Sequence, residues 1–129
     1  MAFLLFKNEV ADIPAWESVS AAAATYHVGD ALYFADGKAA KATGTNAPTH
    51  ICMMEKKVET AGDPLYVMRI YDPMIFQTVL GVASPSIEIG AKYTIHTDGA
   101  SITATDTSGV AEVVGFEGTA LGDTVYVRF

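Results

Sequence analysis

The 129-residue sequence predicts an all-β fold, a compact β-barrel or sandwich built from two repeated β units, with an N-terminal arm or short helix. Three observations carry this expectation. The passage "VGDALYFADGKAAKATG" (28–44) returns as "IGAKYTIHTDGASITATD" (89–106). Within both passages apolar residues fall at alternate positions, the period of a strand with one buried face. Asp-Gly and Gly-Asp pairs punctuate both copies, and such pairs supply the tight turns of hairpins.

Residues 1–27 are expected to form the N-terminal arm. "PAWESVSAAAATY" (14–26) holds the best helix signal, with Pro14 early and a run of alanines. Residues 28–129 are expected to form one β domain. Its first repeat spans 28–70 and its second 89–129. Val28-Gly29 matches Ile89-Gly90, and Leu32 and Phe34 match Tyr93 and Ile95. A one-residue shift brings Gly37 onto Gly99 and Ala42-Thr43 onto Ala104-Thr105. Ile51, Met54 and Glu55 meet Val113, Phe116 and Glu117, and "GDPLYVMRI" (62–70) meets "GDTVYVRF" (122–129). "SITATDT" is rich in β-branched residues and reads as strand. "ICMM" and "VVGF" are apolar on both faces and read as central strands. Between the repeats, 71–88 is too apolar for a flexible linker. It reads as a strand or arm that docks on something, with Pro73 and Pro85 at turns.

Composition narrows the function. Half the residues are apolar, 18% are charged, and the formal net charge is −7. No basic cluster exceeds Lys56-Lys57, which argues against nucleic acid and against an anionic membrane surface. No run approaches the ~20 apolar residues of a membrane span. "MAFLLFKNEV" is too short in its apolar part for a secretory signal. The chain is expected to be soluble and made in the cytoplasm, which suits its single cysteine, Cys52.

Catalytic patterns are missing. His27, His50 and His96 lack metal-ligand spacing, and no second cysteine accompanies Cys52, so no metal and no cofactor are expected. Glu55 and Glu117 recur at equivalent strand ends, as the repeat itself requires. There is no Gly-x-Ser-x-Gly elbow and no phosphate-binding loop. The chain reads as a non-enzyme. The unusual feature is bulky apolar residues outside the repeats: Phe3, Leu4, Leu5, Phe6, Trp16, Met74, Ile75 and Phe76. They are expected either to cap the ends of the fold or to contact a sister subunit or a larger surface.

The run "ATYHVGDALYFADGKAAKATGTNAPTHICM" (24–53) and the ending "VGFEGTALGDTVYVRF" (114–129) resemble small tailed-phage head decoration proteins, the capsid-cement or "head fibre" type. The resemblance covers about residues 20–129. It implies a structural virion protein on the capsid surface, made in the host cytoplasm, that binds the major capsid protein and itself, as a trimer, with no catalytic residue to carry over. Residues 1–20 are then expected to order on the capsid or on a sister subunit. Two other readings stay open: a tail or baseplate β-barrel module, and a bacterial carbohydrate- or ligand-binding β domain using Tyr33, Tyr66 or Tyr126.

Overall fold

A computed structural model describes residues 1–8, 15–72 and 74–129. Pro14 and Pro73, expected at a helix start and at a turn, lie outside the described residues. The chain is all-β. Its strands are β1 (Leu4–Asn8), β2 (Glu17–Ser20), β3 (Ala24–Tyr26), β4 (Ala31–Ala35), β5 (Lys38–Lys41), β6 (His50–Cys52), β7 (Lys56–Val58), β8 (Pro64–Arg69), β9 (Met74–Val79), β10 (Lys92–Tyr93), β11 (Ala111–Phe116) and β12 (Thr124–Arg128). They form two five-stranded sheets, β1-β9-β12-β11-β10 and β2-β8-β6-β4-β5, and a ribbon of β3 and β7. All pairing between these strands is antiparallel.

The arrangement is sandwich-like, and no closed barrel forms. The β2 sheet curls until its edges meet, but they touch at a single parallel bridge between Ala21 and Ala39. The β9 sheet makes the same gesture through Leu80 and Ile102. One apolar cluster fills the space between the sheets, around Ile51, Met68, Phe76, Ile95, Val113 and Val127. A second lies inside the curl of the β2 sheet, around Leu32, Cys52, Leu65 and Val67, closed by Tyr26 and Val58 from the ribbon.

The two halves carry one hydrogen-bond pattern. Gly62 donates to Ala21 O and Ala21 to Asp63 O, as Gly122 donates to Leu80 O and Leu80 to Asp123 O. Gly29 donates to Cys52 O and Cys52 to Asp30 O, as Gly90 donates to Val113 O and Val113 to Ala91 O. Gly29, Gly62, Gly90 and Gly122 all have positive φ, which only glycine adopts at little cost. The equivalence reaches back beyond 28 and 89. Glu17 pairs with Val67 as Phe76 pairs with Val127, and Ser18 with Tyr66 as Gln77 with Tyr126. β2 is therefore the counterpart of β9. Val113 answers to Cys52 rather than Ile51, because a bulge between Val113 and Gly115 absorbs one residue before the register returns at Phe116.

Several expectations need correcting. Residues 15–26 hold no helix; they form β2 and β3. The alanines serve packing there: Ala21 is fully buried where two strands close on each other, and a larger side chain would hold them apart. The described residues of 1–27 do not form a free arm, because β1, β2 and β3 each join a different sheet. Asp36-Gly37 is the expected two-residue hairpin, with both φ values positive (52° and 75°). Asp98-Gly99 is not: the Ile95–Ile102 bridge spans a longer loop, in which Asp98 Oδ1 accepts the Ala100 N–H at 2.8 Å. In "SITATDT" only Ile102 pairs. β6 is buried throughout, as expected of a central strand, but β11 is covered on one face only.

Candidate functional site

The eight apolar residues singled out in the sequence separate into two groups. Phe3, Met74, Ile75 and Phe76 are buried and belong to the core, not to a contact surface. β9 lies between β1 and β12, so its flanks are covered within the chain. Phe3 sets its ring edge against Phe129 at 5.2 Å, and Phe76 lies 5.6 Å from the same ring. Leu5 is half-buried against this core. Leu4, Phe6 and Trp16 are exposed, at 52%, 53% and 57%. Phe6 is the extra residue of a bulge in β1, which turns it onto Tyr126 at 4.6 Å.

Leu4 and Trp16 meet at a groove of about 250 Å³. Val28 joins them on its rim, and Phe3, Ile51, Met53 and Met68 form its floor. The N-terminal strand reaches this place because Phe3 donates to Gly29 O at 2.8 Å. A Cβ on Gly29 would stand 2.4 Å from that of Ala2, so the glycine admits the strand. The sequence pointed to Leu4 and Trp16 as bulky side chains outside the repeats. Val28, Met53 and Met68 were missed because each sits within a repeat and fits a strand pattern.

A second opening lies at the end of the β2 curl. It measures about 650 Å³ and is lined by Phe34, His50, Arg69, Asp72 and Phe129, among others. At the equivalent positions the other half carries Phe76, Phe129 and Ala111, where this half has Glu17, Arg69 and His50. Glu17 approaches His50 Nε2 at 3.9 Å and Arg69 Nε at 4.0 Å. Thr49 Oγ1 lies 2.8 Å from His50 Nδ1. Burial pushes the His50 pKa down, against the pull of Glu17.

The remaining polar groups hold the scaffold. Glu55 binds His27 Nδ1 at 2.6 Å and accepts the Val28 N–H at 3.2 Å, and the His27 contact draws its pKa down. Its counterpart Glu117 meets the Tyr126 hydroxyl at 3.4 Å. Asp30 accepts the His27 N–H at 2.9 Å and faces Lys41 at 3.5 Å, yet burial still raises its pKa. The Cys52 thiol is buried and pushed up to about 11. His96 neighbours Asp98 at 3.7 Å. Among the described residues, no group of three or more His, Cys, Asp or Glu side chains could hold a metal ion.

No protein-family model matches the chain, and no curated protein matches it.

Proposed function

We propose that the chain is a non-enzymatic structural protein that decorates and stabilises the outside of a phage or prophage capsid. It works as a homotrimer bound to the major capsid protein. The observation that carries this reading is the patch of Leu4, Trp16 and Val28 around an apolar groove, with Phe6 exposed farther along the same strand. Side chains of this size standing in water mark a contact surface. The scaffold beneath them suits a clamp, since strands held by short turns lose little conformational freedom on docking. Three linked copies gain roughly 10²–10⁴-fold in avidity over one. The net charge of −7 keeps such a protein off packaged DNA.

The test is cosedimentation with emptied capsids, alongside the solution mass. Wild-type protein should pellet with shells and measure as a trimer. The double variant Leu4→Asp/Trp16→Asp should stay in the supernatant while keeping its melting temperature. A hexamer would favour the tail or baseplate module instead. A second reading rests on the larger opening, where Phe34 stands near Arg69 and Asp72 in the manner of a sugar subsite. Saturable binding on a glycan screen, lost in Phe34→Ala, would favour it.

A further inference from the structure

β9 and β2 are equivalent strands, but among the described strands β9 alone has a partner running along its outer edge. β1 lies there, with Leu4 opposite Gln77, Leu5 opposite Phe76 and Lys7 opposite Ile75. The corresponding edge of β2 runs along Trp16 and Ser18. Tyr66 turns its backbone toward β6, where its carbonyl accepts the Met53 N–H at 3.0 Å. Its neighbours Leu65 and Val67 therefore turn toward β2 and bond Val19 and Glu17. That leaves the N–H and C=O of Trp16 and Ser18 pointing away from the sheet. The same parity holds farther along, where Ala22 donates outward to Ala39 O at 2.8 Å. Among the described residues, Trp16 and Ser18 find no backbone partner on that side. Ile75 is 5% exposed beneath β1, while Trp16, its counterpart, is 57% exposed.

We propose that this edge receives an extended segment of a different protein, added antiparallel to β2 as β1 is added to β9, with a basic side chain opposite Glu17. An unpaired strand edge is a template for a further strand. A second copy of this chain is a poor occupant. Its β1 is already paired with its own β9, and two β2 strands paired about a two-fold axis would bring both Glu17 carboxylates into one short ladder. The residue opposite Glu17 shares its face, as Leu5 shares that of Phe76. Glu17 is half-exposed on that face, with His50 Nε2 and Arg69 Nε no nearer than 3.9 and 4.0 Å, and the chain is acidic overall. On the decoration reading the different protein is the capsid subunit, but the edge stands without that reading.

Trp16 is the only tryptophan, so its emission reports on this edge. The probe is a synthetic peptide copying residues 2–8 with Leu5→Lys. Titrated into wild-type protein, it should shift the emission to the blue in a saturable way. It should also slow hydrogen exchange at the Trp16 and Ser18 amides. Ser18→Pro removes an outward N–H and leaves the β8 ladder intact, so it should keep its thermal melt and lose the shift. Glu17→Gln should weaken the lysine peptide about fivefold, the size of an exposed ion pair, and leave the unmodified peptide unchanged. No shift and no slowed exchange would overturn the proposal, as would an equal shift in a folded Ser18→Pro. A shift on concentrating the protein alone, with doubled mass, would overturn the foreign occupant. Capsids bound equally well by Ser18→Pro would remove the capsid subunit as the source of the strand and leave decoration standing.

Discussion

Glu17 stands in β2 where Phe76 stands in β9, each opposite a buried valine in the next strand. One position thus carries a carboxylate in one half and a core aromatic in the other. Around it, Arg69 stands where the other half has Phe129 and His50 where it has Ala111, so matching positions are polar in one half and apolar in the other.

The two positions should therefore differ in stability. Phe76→Ala opens a cavity among fully buried neighbours and should cost about 3–5 kcal/mol in urea denaturation. Glu17→Ala removes only half-exposed ion pairs and should cost under ~1 kcal/mol. Equal losses would mean that Glu17 is as tightly packed as Phe76.

Gly29 and Gly90 make a second matched pair, with φ of 91° and 90°. At Gly90 nothing lies within 4 Å of an added Cβ, so Gly90→Ala should cost about 1 kcal/mol of backbone strain alone. At Gly29 the added Cβ runs into Ala2. Gly29→Ala should lower the melting temperature further and release the Phe3 amide to fast hydrogen exchange.

His50 sets a pH dependence. Its pKa is lowered on folding, so the unfolded chain takes the proton first. Stability should fall as pH drops through the unfolded value of about 6.5, and should be unaffected by this group above it. Asp30 has the opposite sign: its raised pKa means the folded state holds the proton more tightly, so its contribution grows as pH falls and is lost as pH rises through the folded value. Denaturation curves between pH 5 and 7 should flatten in His50→Gln. An unchanged slope in that variant, also on an Asp30→Asn background, would remove His50 from the account.

Cys52 should be silent toward thiol reagents. Its sulfur is buried and its pKa is raised to about 11, so little thiolate exists at pH 8. Labelling by a chromogenic disulfide should proceed only as fast as unfolding, and at once in denaturant. Fast labelling of the folded protein would show that the β6 region opens locally.

Much of this architecture was legible because turns are written in glycine. Gly29, Gly62, Gly90 and Gly122 sit at corresponding bends, and the Tyr-Val pairs of β8 and β12 follow at fixed distance. The groove was half legible. Leu4, Phe6 and Trp16 stood out as large apolar groups, but nothing local distinguishes them from Met74, Ile75 and Phe76. What separates Trp16 from Ile75 is a neighbour: β1 covers the outer edge of β9, no described strand covers the outer edge of β2, and Leu4 and Phe6 lie on the edge strand β1 itself; pairing across some seventy residues leaves no local mark. Ala21 to Ala24 misled for the same reason. Alanine favours helix when alone, yet here its small size answers to Ala39, a partner far along the chain.

The pairing of Leu4 with Gln77 also orders events on the ribosome. β1 has no strand to pair with until β9 has been made, and β9 itself awaits β12 at residues 124–128. Phe3 consequently waits for Phe129, 126 residues along the chain, before its ring is covered, and contacts this distant in sequence close slowly. A long wait of this kind exposes an aromatic stretch to aggregation before the fold can close over it.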